Sequence, residues 1–247
     1  MISFSRFVLL CSFVFFSFAY AQENSQKDYY TYLDNEVGIE NTGLYNGILY
    51  EEKYRTINEK TQFFNTRDFK KGSVCYDGQC YYNLELSYNV YEDEVLLKLI
   101  SKAGGGTLKL YKDKVESFKV LDKKFIKIDP KKDLQYSSQG YHEVIYESSD
   151  FSLYAKHFKK IFKRQDRSSL YYEFVDDDSK YVLNHNNKYN FFNTKKEIIA
   201  AFPELKKEID KFYSLARGLR KSDPNGFRVS LLKRIEILLS QNANQTK

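Results

Sequence analysis

The stretch GSVCYDGQCYYNLELSYNVYEDEVLL, residues 72–97, decides the fold. At its centre stands Asp77-Gly78, a pair that adopts positive φ readily and so closes a two-residue hairpin. With that turn in place Tyr76 faces Gln79, and Cys75 faces Cys80 as the next, non-hydrogen-bonded pair. Such pairs hold their Cα atoms about 4.5 Å apart, near the short end of disulfide geometry. In an oxidising compartment the spacing predicts a cross-strand Cys75–Cys80 disulfide. Free thiols and a redox pair are the alternatives. A redox pair calls for two intervening residues at a helix start, and zinc would need two further ligands.

Beyond the turn the hydrophobic period is two. Cys80, Tyr82, Leu84, Leu86, Tyr88 and Val90 alternate with Asn83, Glu85, Ser87 and Asn89, the pattern of a half-buried strand with one wet face. Val95, Leu97 and Leu99 resume it after the acidic turn Glu92-Asp93-Glu94, and Leu108 and Leu110 do so after a break at Gly104-Gly105-Gly106. Further short strands are expected at 115–120, 125–128, 141–147, 151–158, 170–175, 180–185 and 188–192. Pro130 to Gly140 reads as a polar loop, and Asp176-Asp177-Asp178 and Asn186-Asn187 as turns. About ten strands with short connections predict an antiparallel meander that must curl or close to hide its apolar face.

After Asn193 the period turns helical. Thr194-Lys195-Lys196-Glu197 fits a capping box. Leu205, Ile209, Phe212 and Ala216 mark one helix face, and Asp223-Pro224 supplies an N-cap and first helical residue for a last helix carrying Phe227, Leu231, Leu232, Ile235, Leu238 and Leu239. The expected fold is therefore α+β: a curled, open-barrel-like antiparallel sheet followed by about three C-terminal helices packed on it. The expected organisation is a signal peptide at 1–21, a mobile polar arm at 22–43, a β-rich domain at 44–193 and a helical segment at 194–247.

The leader is read from Arg6, the apolar run Phe7 to Phe18 and the small-residue site Ala19-Tyr20-Ala21. The run is about 12 residues, short of the about 20 a membrane span needs. Cys11 lies inside the apolar core behind Leu9-Leu10, which argues against lipidation. The expected location is outside the cytoplasm, periplasmic or at the cell surface, with no spanning helix. Nucleotide cofactors and genomic DNA are scarce there, and neither a Walker A loop nor GxGxxG occurs. No cofactor, metal site or nucleic-acid partner is expected.

Leu44-Tyr45-Asn46-Gly47, the 72–97 stretch and the Tyr/Asn-rich hairpin leading into Thr194-Lys195-Lys196-Glu197 together resemble a broad family of uncharacterised exported proteins of Bacteroidota. The resemblance covers most of the mature chain and rests on turns, strand alternation and a helix start. It implies an envelope location and a β-sheet followed by helices. It brings no activity and no catalytic residue, and the cysteine pair is not part of it.

Candidate chemistry is sparse. His142, His157 and His185 are the only histidines. His142 and Glu143, adjacent on a strand, point to opposite faces, while His157 is in phase with Phe151, Leu153 and Ala155. The carboxylate runs 92–94 and 176–178 lack EF-hand spacing and read as solvated turns. GxSxG and SxxK are absent. The run KHFKKIFKRQDR, 156–167, offers Lys156, Lys159, Lys160, Lys163 and Arg164 for contact with an anionic membrane surface, or simply a strand end with its charges in water. From Thr194 onward 12 basic residues stand against 6 acidic ones, so the net charge of +6 sits on the helical tail. Tyrosine and phenylalanine, 22 and 20 residues with no tryptophan, suit half-buried sheet faces or a concave face holding an apolar ligand. The function expected is that of an exported, non-catalytic envelope protein binding an apolar or envelope-derived ligand or another envelope protein. The alternative is a hydrolase acting on cell-wall or polysaccharide material through paired carboxylates.

Overall fold

Among the described residues eleven strands, paired antiparallel, precede four C-terminal helices, so the fold is α+β. The computed structural model describes residues 28–34, 36–101, 104–128, 139–167, 169–186 and 188–245. The leader, the first residues of the arm and most of the 130–140 loop lie outside the described residues. The chain forms two units: residues to 53, 64–89 and 94–122 in the first, and 54–63, 90–93 and 123 onward in the second.

In the first unit β1 (Gly47–Leu49), β2 (Lys70–Tyr76), β3 (Gln79–Asn89), β4 (Glu94–Ser101), β5 (Gly104–Leu110) and β6 (Val115–Val120) lie in the order β1-β5-β4-β3-β2-β6. Asp77 and Gly78 both have positive φ, 54° and 82°, and the register is Tyr76 with Gln79 and Cys75 with Cys80. Asn83, at φ 57°, sits where that register shifts, and the bulge bends the long β3. Opposite it Gly72 runs so close to β6 that a Cβ there would stand 2.2 Å from the Lys119 carbonyl oxygen.

Curling follows from one short connection. Residues 111–114 join β5 to β6 through a turn in which the Lys114 amide donates to the Tyr111 carbonyl at 3.0 Å. In a flat sheet those strands would stand four spacings, about 19 Å, apart. A four-residue turn bridges them only if the sheet bends round. The strand order does not return on itself, so the unit stays open.

Leu84, Leu86, Tyr88 and Val95 are buried strand residues, as the alternation requires. The wet face is shorter than expected, because Ser87 and Asn89 are buried too. The chain at Phe64 runs along β3 there, its amide donating to the Tyr88 carbonyl at 2.8 Å. The glycine triplet does not break the chain; it lies in β5 and pairs with β4. The arm also carries regular structure. Residues 28–34 form a helix, α1, two 3-10 turns follow at Ile39–Asn41 and Gly43–Tyr45, and Leu44 is fully buried.

The second unit holds β7 (Lys123–Ile128), β8 (Gly140–Glu147), β9 (Phe151–Asp166), β10 (Ser169–His185) and β11 (Lys188–Phe191), adjacent in sequence order. Asp176-Asp177-Asp178 is not a turn: β10 runs through it as one 17-residue strand, with a register shift between Asp177 and Lys180. The strand expected at 151–158 likewise runs on through KHFKKIFKRQDR as far as Asp166, paired with β10 except at His157. Charge pairing of Lys159, Lys160 and Arg164 with Asp176, Asp177 and Glu173 lets both strands continue.

Four helices follow, α2 (Lys195–Ala201), α3 (Lys206–Leu215), α4 (Arg217–Ser222) and α5 (Pro224–Gln245). Gly218 lies inside α4. Thr194 and Glu197 form the capping box, and Asp223 accepts from the Gly226 amide at 2.9 Å ahead of α5. Phe151, Leu153, Ala155 and Leu183 of the strands pack in one core with Ile198, Phe202, Ile209, Phe227, Leu231 and Ile235 of the helices. Each such large side chain contributes about 1.5–3 kcal/mol by burial.

Candidate functional site

A cavity of about 210 Å³ opens in the first unit between the N-terminal segment and strands β2 to β4. Its wall is apolar where Ile39, Tyr45, Tyr82, Leu84 and Leu97 meet, and Leu84 and Leu97 are themselves buried. Four charged side chains complete it: Asp34 from α1, Lys71 from β2, Glu85 from β3 and Lys98 from β4. Glu85 stands between the two lysines, 3.0 Å from Lys98 Nζ and 3.9 Å from Lys71 Nζ. Lys71 also donates to the Asn83 carbonyl at 3.3 Å. Asp34 is 7% exposed, its Oδ1 accepts from Gln79 Nε2 at 3.4 Å, and burial pushes its carboxyl above the usual range. The arrangement suits a small molecule with an apolar body and charged ends. A cation would relieve the desolvated Asp34, and an anion would meet Lys71 and Lys98.

None of these side chains stands out in the sequence. Asp34 lies in a polar arm, and Lys71, Glu85 and Lys98 occupy polar positions of alternating strands. The one available signal is that Glu85 on β3 has basic residues on both neighbouring strands, which becomes visible only once the register is known.

The basic run is largely neutralised. Lys156, nearly fully buried, reaches Asp93 at 2.6 Å. Lys159 pairs with Asp176 at 3.0 Å and Lys160 with Asp177 at 2.7 Å. Arg164 pairs with Glu173 at 3.2 Å, and that carboxylate also takes Asn58 at 2.9 Å and Lys60 at 3.3 Å. Those donors, Asn58 first, hold the Glu173 carboxyl below its ordinary range. Lys163, opposite Tyr172, is exposed. Four of the five cations thus have carboxylate partners, and the acidic run on β10 is the counter-charge of the basic run on β9.

The three histidines do not converge on a metal, and the described residues hold no cluster of three or more potential metal ligands. His142 is fully buried, its Nδ1 3.0 Å from the Gly140 carbonyl, and burial lowers it to about 4. His185 stacks on Phe151 with ring centroids 4.5 Å apart. His157 faces the same side as Ala155, as its phase implies, and lies between two partners on neighbouring strands. Its Nε2 is 2.7 Å from Glu143 Oε2 and its Nδ1 3.0 Å from Ser179 Oγ. Lys123 Nζ holds the other oxygen of Glu143 at 2.9 Å. Burial raises the Glu143 carboxyl, but hydrogen bonds from His157 and Lys123 outweigh it and leave the carboxyl below its ordinary range.

Cys75 and Cys80 face each other across the hairpin with Cα atoms 3.9 Å apart and Sγ atoms at disulfide distance. Several tyrosines pack on one another: Tyr54 meets Tyr91, Tyr172 and Phe174 edge-to-face at 5.2–5.7 Å. Its hydroxyl donates to Glu92 at 2.9 Å and, chiefly through burial, is pushed up to about 12. No helix among the described residues is long and apolar enough to cross a membrane. No family model, curated protein or solved structure matches the chain.

Proposed function

We propose that this is an exported binding protein that holds a small ligand in the cavity of its first unit. The observation that carries the reading is the cavity itself, an apolar wall joined to Asp34, Glu85, Lys71 and Lys98. The ligand class it suits is an envelope-derived molecule with an apolar portion and at least one charged group. The leader at 1–21, the cysteine pair at disulfide distance and the resemblance to exported Bacteroidota proteins support a location outside the cytoplasm.

Native mass spectrometry of the mature protein tests this. We expect a non-covalent adduct that Leu97→Arg, which fills the cavity with a charged side chain, removes while the circular dichroism is kept. A mature protein that carries no adduct from its native envelope extract, in wild type as in the variant, overturns it.

A second reading, glycoside hydrolysis through paired carboxylates, is favoured by one observation: Asp34 and Glu85 line the same cavity, where burial raises the Asp34 carboxyl above its usual range. It requires that wild type release sugar from cell-wall polysaccharide and that Asp34→Asn abolish that release. An Asp34→Asn variant that hydrolyses like wild type, or a wild type with no release at all, removes this reading and leaves the binding one standing.

A further inference from the structure

Three side chains from three consecutive strands form one hydrogen-bonded line in the second unit. Glu143 comes from β8, His157 from β9 and Ser179 from the irregular stretch of β10. The spacings are 2.7 Å from Glu143 Oε2 to His157 Nε2 and 3.0 Å from His157 Nδ1 to Ser179 Oγ. We propose that Ser179 is an acyl-accepting nucleophile, with His157 as its general base, and that its substrates are carboxylic esters.

Glu143 is 3% exposed and salt-bridged to Lys123 at 2.9 Å, so it is an ionised carboxylate in a fixed position. A carboxylate only accepts hydrogen bonds, so the imidazole must present Nε2–H to it. In the neutral ring that choice leaves the lone pair on Nδ1, and Nδ1 is the atom facing the Ser179 hydroxyl. The tautomer that can take a proton from serine is therefore the one the buried acid selects. This is the division of labour of an acid–histidine–serine relay, here with the two ring nitrogens exchanged relative to the usual arrangement.

Local structure explains why the serine reaches the ring. The pairing of β9 with β10 places Asp177 opposite Phe158 and Lys180 opposite Lys156, so Asp178 and Ser179 together occupy the length of His157. Ser179, two residues before Tyr181, shares the face carrying His157, Ala155 and Tyr181, and the extra residue is taken up at Asp178. Ser179 and His157 are both partly exposed, so an ester can approach from solvent.

The chemistry balances on these groups alone. As Ser179 Oγ bonds to the ester carbonyl carbon, its proton passes to His157 Nδ1, and Glu143 stabilises the resulting imidazolium. The bond from carbon to the alcohol oxygen then breaks, and the alcohol leaves with the proton held on Nδ1. Water, deprotonated by the same nitrogen, attacks the acyl-serine and returns the hydroxyl and a carboxylic acid. Esters fit better than amides, because an alkoxide leaves with less proton assistance than an amine. Glu143 acts through the ring and is a positioning residue.

The test uses the whole mature chain with diisopropyl fluorophosphate and p-nitrophenyl acetate as probes. We expect one covalent adduct, mapped to the peptide containing Ser179, with fluoride displaced, and none on Ser179→Ala. His157→Gln should slow labelling by about 10²-fold or more. Glu143→Gln should slow it, with partial rescue by Glu143→Asp, a pattern that a purely structural carboxylate would not give. No adduct on the wild type, an adduct kept by Ser179→Ala, or His157→Gln labelled at the wild-type rate would each overturn the proposal. None of these outcomes bears on the cavity of the first unit, so the binding reading stands or falls separately.

Discussion

Lys156 Nζ lies 2.6 Å from Asp93 Oδ1, and both side chains are largely withdrawn from water. The pair ties the middle of β9 to the tight turn at 91–93, and the Tyr141 amide also donates to Asp93 at 3.4 Å. Removing one member leaves the other charge buried and uncompensated. Asp93→Asn and Lys156→Met are each expected to cost about 3–5 kcal/mol, and the double change to hydrophobic residues much less than the sum. Urea denaturation of the four proteins of that cycle checks it.

Gly140 sits against the same pair. Its φ is +110°, and a Cβ there would stand 1.8 Å from Asp93 Oδ2 and 2.9 Å from Lys156 Nζ. Gly140→Ala should therefore destabilise by at least as much as loss of the ion pair, because both the backbone conformation and the space are denied to it. Gly218, within α4 and with open space around it, is the internal control. There alanine should be neutral or stabilising by up to about 1 kcal/mol. A Gly140→Ala midpoint equal to wild type would contradict the packing described here.

His142 gives the protein an acid-sensitive component. Burial holds its folded value at about 4, below the ordinary 6.5, so the unfolded chain binds more protons between those values. Stability from this group is complete above pH 6.5 and is lost as pH falls toward 4, by about 3 kcal/mol. Glu143, held low in the folded state, adds a loss in the same direction below its unfolded value. Thermal melts of wild type and His142→Gln from pH 7.5 to 4 should show a flatter dependence for the variant; parallel curves would remove His142 as the source.

The cysteine hairpin closes a short loop, so its disulfide should contribute only about 2 kcal/mol. Cys75→Ser with Cys80→Ser is expected to lower the denaturation midpoint modestly and to keep the fold. Intact-mass measurement of the oxidised mature protein should find no alkylatable thiol. Two alkylated cysteines would count against both the disulfide and the oxidising location.

In the helical layer, Leu231 is 1% exposed within the core shared by α5 and the strands. Leu231→Ala should cost about 2–5 kcal/mol, whereas Leu215→Ala, at a position 77% exposed, should cost under about 0.5 kcal/mol. Equal midpoints for the two would mean that α5 does not pack where described.

What was legible in the sequence was local. Asp77-Gly78 set the hairpin and the register of Cys75 with Cys80, because backbone sterics act over two residues. The period-two run gave β3 and the buried Leu84 and Leu86, and Thr194 to Glu197 gave the start of α2. Short-range rules misled where long-range charge decided. Three consecutive aspartates read as a turn because solvated carboxylates favour one. In the fold they lie on a strand that continues because Lys159 and Lys160 neutralise Asp176 and Asp177 from the neighbouring strand.

The amino-acid order by itself thus determined the class of fold, the hairpin at 77–78, the alternating faces and the helix starts, since each depends on torsional preference and on which residues shun water. Tertiary structure alone decided that Asp34 and Glu85 line one cavity, that Lys159, Lys160 and Arg164 of β9 pair with carboxylates of β10, and that Glu143, His157 and Ser179 stand in line. Those groups are distant in the chain, and their distances are set by strand register and one extra residue in β10, quantities that exist only once the strands have paired.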